Sequence, residues 1–288
     1  MRAILVPTAD RPECRALLST AFRLGARLGA DVLGRHFRPV PLEPGDWDMA
    51  DLWSMNQRAA WAMPIAEEAD RAADAAEQLF RSYADGAGYP VSVAAGTPDR
   101  PHASFQALDG APFELMSAVG GASDLIVVSR AAERGGEKAW IVLMSALLDS
   151  LRPVLVLPQQ GEPAPVRRIA VAWNAGRTET LAVHAALPLL KAADDVVLLT
   201  VGTGRRSHRG PSSDEICGWL ARHGVAARAK RIERSDEGPA LVESAQAEGA
   251  DTLLAGAYTR GRLREMVFGG VTEYLVTKTS FPVVLMHA

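Results

Sequence analysis

Cysteine is almost missing from this chain: Cys14 and Cys217 are the only two in 288 residues, and no CxxC pair occurs. That excludes a disulfide framework and a cysteine-ligated zinc site, and it makes a reduced, cytoplasmic chain the simplest expectation. The six histidines (His36, His102, His184, His208, His223 and His287) show no HxxxH or HExxH spacing, so no metal site is expected. No GxSxG elbow and no GxxxxGK[ST] loop is present, which excludes a serine-hydrolase elbow and a P-loop NTPase. No sign of charge dominates, with 31 Lys and Arg against 34 Asp and Glu and a net charge of −3. A field that would draw nucleic acid or anionic lipid is therefore absent. No apolar run approaches the roughly 20 residues that span a bilayer. The opening Arg2-Ala3-Ile4-Leu5-Val6-Pro7 reads as a strand without a charged leader and long apolar segment, so no signal peptide is expected.

What the chain does have is apolar residues, 48% of the total, enough for a sizeable core and for two domains of ordinary size. It also has an internal repeat. Arg2 to Pro7, a helical stretch from Cys14 to Leu28 and an apolar run from Val32 to Phe37 are matched by Arg168 to Trp173, a helical stretch from Thr178 to Ala193 and a run from Val196 to Val201. Ala122 to Val128 matches Ala250 to Ala255, and Arg152 to Leu157 matches Phe281 to Met286. This is duplication of a whole domain. Between the copies Pro158 to Pro165 carries three prolines and no apolar period. The expected organisation is a first domain at 1–158, a linker at 159–165 and a second domain at 166–288.

Each half alternates strand and helix, and its strands are short and continuously apolar. The expected fold class is α/β, with two tandem doubly wound, Rossmann-like domains, each holding a parallel sheet of about five strands. The first half carries an insertion at 39–63 with Trp47, Trp53 and Trp61, followed by a helix with Ile65, Ala69, Ala72, Ala76, Leu79 and Tyr83 at helical spacing. The tryptophans either cover an exposed core edge or form a partner or ligand surface.

In doubly wound sheets ligands bind beyond the C-terminal ends of the strands. In the second half those ends are Ala172-Trp173-Asn174, Val201-Gly202 and Gly256-Ala257-Tyr258. After the last of them comes a basic loop with Arg260 and Arg262, and then Gly269-Gly270-Val271-Thr272 opens a helix. Strand, loop and glycine-opened helix form an anion site, because backbone N–H groups at a helix start point at the ligand and glycine permits close approach. The basic stretch Gly204 to Gly210 either is a solvated loop or closes over an anion.

This last segment resembles the end of a universal stress protein domain, whose signature is Gly, two residues, Gly, nine residues, Gly, then Ser or Thr. Here the four positions hold Gly256, Thr259, Gly269 and Gly270, so the spacing is kept and two residues differ. The resemblance implies ATP as ligand, with or without Mg2+. It places Asn174 where the family has an Asp beside the nucleoside, with Trp173 and Val201 on the neighbouring strand ends. Ribose and phosphates fall to Gly256, Thr259, Arg260, Arg262, Gly269, Gly270, Val271 and Thr272. In the first half Ser129 stands at the place of Gly256 and Ala9 at the place of the Asp, with Asp10 one residue late, so no ordinary ATP site is expected there. The family usually dimerises through its last strands, here Val154–Leu157 and Val283–Met286, which implies an intramolecular pseudo-dimer and leaves room for a homodimer. The implied function is a stress-response or signalling module that binds an adenine nucleotide, at most a slow ATPase, with a protein partner not identified. The alternative is a nucleotide-independent interaction protein whose altered motif no longer binds ATP.

Overall fold

The computed structural model describes residues 1–39, 66–131, 137–202, 210–257 and 270–287. Trp47, Trp53 and Trp61 lie outside them. The first half runs β1 (Ala3–Pro7), α1 (Pro12–Leu28), β2 (Asp31–Arg38), α2 (Ala66–Gly86), β3 (Ala103–Asp109), α3 (Pro112–Gly121), β4 (Leu125–Ser129), α4 (Glu137–Asp149) and β5 (Val154–Leu157). The second half runs β6 (Arg168–Ala172), α5 (Arg177–Ala185), α6 (Leu187–Lys191), β7 (Asp195–Val201), α7 (Ser213–Arg222), β8 (Ala227–Ile232), α8 (Glu237–Ala247), β9 (Thr252–Ala257), α9 (Gly270–Glu273) and β10 (Val283–His287). A π-helical turn, Tyr274–Lys278, prolongs α9. The helical stretch expected from Thr178 to Ala193 is broken at Ala186. Pro188, near the start of α6, lacks the N–H that an unbroken helix would use.

Strands β4 and β5 have no polar alternation and are buried along their whole length. Such strands need cover on both faces. One face carries α1, α2, α5, α6 and α7, through residues such as Leu18, Phe80, Val183, Leu189 and Leu220. The other carries α3, α4, α8 and the α9 segment, through Met116, Leu143, Leu241 and Leu275. The result is a three-layer sandwich of helices, sheet and helices.

Both sets of five strands follow one order, 3-2-1-4-5, but they do not stand apart. β5 and β10 pair antiparallel, with Val156 opposite Val283, Leu155 opposite Val284 and Val154 opposite Leu285. The outcome is one ten-stranded sheet in the order β3-β2-β1-β4-β5-β10-β9-β6-β7-β8. Within each half all pairings are parallel. The segment between the halves is tied down as well. Arg27 of α1 donates to the carbonyls of Pro165 and Val166 at 3.1 and 2.6 Å, and the Ala164 amide donates to Thr20 Oγ1 at 3.1 Å.

A buried arginine spans the junction. Arg130 follows β4 in the first half and is 6% exposed. Its Nε donates to the Val276 carbonyl at 3.1 Å, and its Nη2 donates to those of Leu275 and Phe281 at 2.9 and 3.1 Å. Leu275 and Val276 lie in the π-helical turn, where carbonyls lack helical partners, and Phe281 leads into β10. A cation there also suits the negative end of the helix. Burial pushes the guanidinium down to about 10, still above neutral pH, so the charge is kept. Arg130→Ala is expected to lower the unfolding free energy by about 3 kcal/mol, because three carbonyls lose their donor and a cavity opens. Urea denaturation at pH 7 checks this; a loss under about 1 kcal/mol contradicts the clamp.

Candidate functional site

The order of strands in each half reverses between β1 and β4 and between β6 and β9, so two crevices form at the C-terminal ends of those pairs. In the second half the crevice is built on the turn from β6 to α5. The Trp173 indole packs in the core on the α5 and α7 side, and its Nε1 donates to the Pro211 carbonyl at 3.2 Å. The chain then turns sharply. Ala175 takes φ +60°, a left-handed conformation uncommon for alanine, and Gly210 packs against its carbonyl so closely that a Cβ would stand 2.3 Å from that oxygen.

This turn gives Asn174 its role. Its Oδ1 accepts from the Gly176 amide at 2.7 Å, and its Nδ2 donates to Glu179 Oε1 at 3.0 Å. Glu179 Oε2 accepts from Thr178 Oγ1 at 3.0 Å. The exposed Asn174 amide is thus joined to a carboxylate in the first turn of α5, where the helix N-terminus favours negative charge. Across the crevice Gly256 is half-buried near the end of β9. A Cβ there would lie 2.8 Å from the Thr178 carbonyl carbon and 2.8 Å from the Glu179 amide nitrogen. No side chain fits, and glycine is required by this approach.

The structure therefore brings Asn174, Gly256 and the start of α5 together. Glu179 belongs to the same cluster. Sequence reasoning missed it, and the only available signal was an acidic residue in the first turn of a helix that follows the strand. Val201 is half-buried at the end of β7 and packs toward the opposite face from Trp173. Gly270 is the first residue of α9, exposed, with open space where a Cβ would stand. Val271 packs on the core, and Thr272 is 8% exposed. Tyr274 sets the segment against α8, since its ring lies within 3.0 Å of where a Gly238 Cβ would be. Thr259, Arg260, Arg262 and Gly269 lie outside the described residues, as does most of the basic stretch from Gly204.

The first half has a different crevice. An open pocket of about 460 Å³ lies at the ends of β1, β2 and β4, flanked by α1, α2 and α4. Its walls are largely apolar, from Ala9, Leu17, Phe37, Ala72, Val128 and Val142. Thr8 Oγ1 turns inward to the Val6 carbonyl at 2.8 Å, and the Ser129 hydroxyl donates to the Arg130 carbonyl at 3.0 Å. Cys14 also lines the cavity, and burial pushes its thiol up to about 11, so it stays protonated at neutral pH. His36, at the end of β2, is 7% exposed. Its Nδ1 lies 2.9 Å from the Thr8 carbonyl, an oxygen that can only accept, so this nitrogen carries the proton. Burial holds the imidazole below its ordinary value, which leaves it neutral at pH 7 with Nε2 as a bare acceptor. Nε2 is buried and has no hydrogen-bond partner.

Among the described residues no group of His, Cys, Asp and Glu is arranged to hold a metal ion, and no helix is long and apolar enough to cross a membrane. Residues 220–287 match the universal stress protein family. That segment contains Gly256 and the stretch from Gly269 to Thr272. No curated protein matches the chain. Among solved structures the chain is similar to a universal stress protein from Archaeoglobus fulgidus DSM 4304, at 15% identity and TM-score 0.69, over 99% of this chain and 98% of that one. It is also similar to a functionally unknown protein from Pseudomonas aeruginosa PAO1, at 15% identity and TM-score 0.52, over 100% of this chain and 92% of that one. At these identities the likeness is one of fold, and it runs through both halves.

Gly256→Ala is the variant that the crevice geometry tolerates least. The added methyl meets backbone rather than a movable side chain, so the expected cost is about 2 kcal/mol and several degrees of Tm. Calorimetric melting checks it, and an unchanged Tm contradicts the close approach.

Proposed function

We propose that this chain is a member of the universal stress protein family and a ligand-binding module that takes an adenine nucleotide in the crevice of its second half and changes state with it. The observation that carries this reading is the contact of Gly256 with the first turn of α5. It leaves a floor without side chains beside polar groups at the switch point of the sheet. Support also comes from the family match, which falls on the segment holding the glycine spacing. The polar groups suit a nucleoside. The family's carboxylate beside the nucleoside is replaced by Asn174, yet Glu179 brings a carboxylate to Asn174 from five residues along the chain. The pair offers both a donor and acceptors, which an adenine amino group and ribose hydroxyls can use. Gly270, facing open space at the start of a helix, leaves room for a phosphate, with Arg260 and Arg262 in the preceding sequence as counter-charges. The proposed role is binding rather than turnover, with Mg2+ entering only with the nucleotide.

A second reading has its own observation. The Asn174 side chain already bonds within its own loop, and Glu179 already lies at the N-terminus of α5 as an internal anion. A crevice satisfied in this way suits an interaction module that needs no nucleotide.

Titration calorimetry of the nucleotide-stripped protein with ATP and Mg2+ separates the two. The nucleotide reading expects saturable heat near one site per chain. Gly270→Glu should weaken it by about 100-fold while the Tm holds, because an exposed helix start accepts a carboxylate but a phosphate beside one is repelled. No heat up to millimolar ATP overturns the nucleotide reading and leaves the second.

A further inference from the structure

The helical run that opens the second-half crevice is held from the first half. Arg130 stands just past β4, one residue beyond Ser129, which occupies the place of Gly256. Its guanidinium crosses the junction and donates to the carbonyls of Leu275, Val276 and Phe281. Leu275 and Val276 lie in the later part of the run that Gly270 begins. The start of that run is where the nucleotide reading puts the phosphates.

The contact falls where the run changes its winding. From Tyr274 to Lys278 the turn is π-helical, and the Thr279 amide donates five residues back, to the Tyr274 carbonyl at 3.2 Å. In an α-turn the same amide would donate four residues back, to Leu275. The π-winding thus takes the helical donor from the Leu275 carbonyl, and Arg130 Nη2 supplies another at 2.9 Å. Leu275 and Val276 are fully buried, so water does not replace that donor. A π-turn is rare beside an α-turn, and a buried carbonyl left unmet counts against it.

The winding decides how the run begins. β10 is fixed by its ladders to β5 and β9, so the chain after the turn holds its place. Rewinding to α would bring Leu275 to the position of Tyr274. Everything before it would rotate by about 100° and slide by about 1.5 Å, the step of one helical residue. Tyr274 would leave Gly238 of α8, against which its ring rests. Gly270, facing open space, and Thr272, nearly buried, would turn with it.

We infer that Arg130 is a positioning residue for the second-half crevice: by meeting the carbonyls of the π-turn it fixes the winding, and so the orientation, of the helix start that receives the nucleotide phosphates. The inference rests on the nucleotide reading for its ligand and on the contacts of Arg130 for the winding. It makes the site of the second half depend on a side chain of the first, beyond the strand pairing that joins them.

Two measurements on the intact chain, well below its Tm, test this. In a nuclear Overhauser spectrum without nucleotide, the natural chain should show contact between the Tyr274 ring and the Gly238 α protons, and Arg130→Ala should lose it. Leu18→Ala, a core truncation on the other face of the sheet, should lower the Tm comparably and keep the contact. In titration calorimetry with ATP and Mg2+, Arg130→Ala should bind about tenfold more weakly than the natural chain, and Leu18→Ala as tightly as it. If Arg130→Ala fails to fold, Arg130→Lys takes its place, because an ammonium lacks the fork that spans three carbonyls; the ring contact should again be lost. A ring contact that persists in the Arg130 variant overturns the inference. So does an ATP affinity equal to that of the natural chain, or an equal loss in Leu18→Ala. A natural chain that takes no ATP, while the ring contact still depends on Arg130, overturns the nucleotide reading and upholds the winding role.

Discussion

The antiparallel pairing of β5 with β10 is the contact on which the rest depends. Each of these short apolar strands has a parallel neighbour on one side only, β4 or β9. Without each other, each would expose a row of unpaired N–H and C=O groups beside side chains that are almost wholly buried. Joined, they remove both edges and make two five-stranded sheets into one. Arg130 reinforces the junction from outside the ladder by holding the last helical turn before β10. Because the join is antiparallel while each half is parallel inside, the C-terminal ends of the two sets of strands lie on opposite edges of the shared sheet. The two crevices therefore face different ways.

From one repeated topology the halves have become chemically unlike through a few side chains. At the end of β9 there is Gly256, and the space beside it is polar, with Asn174 and Glu179 bonded to each other. At the end of β4 there is Ser129, and the space beside it is lined by alanine, valine, leucine and phenylalanine with one neutral imidazole. The chain thus holds two chemically different crevices on one scaffold.

Much of the fold was legible in the residues. The continuous apolar runs at Leu125 to Val128 and Val154 to Leu157 mark strands covered on both faces, and their recurrence in the second half marks the duplication. Gly256 was singled out as a place for a phosphate to approach, because its spacing to Gly269 is preserved; what the structure sets against it is the first turn of α5. Other features depend on contacts between residues distant in sequence. The merging of the two sheets was indicated by family resemblance and not by periodicity, since a last strand reads the same whether its edge is open or paired. The Asn174–Glu179 pair exists only because Ala175 turns left-handed, and alanine gives no sign of that in a sequence. The first-half cavity draws its walls from β1, β2, β4, α1, α2 and α4. A search for glycine motifs passes over it, and the lone clue, His36 beside Phe37, looks like any strand end.

The central proposal is that the second-half crevice takes an adenine nucleotide and the first-half crevice does not. Native mass spectrometry of the full chain with ATP and Mg2+ tests it most directly. The account predicts one nucleotide per chain, lost in Gly270→Glu. No bound nucleotide, or two per chain, would contradict it.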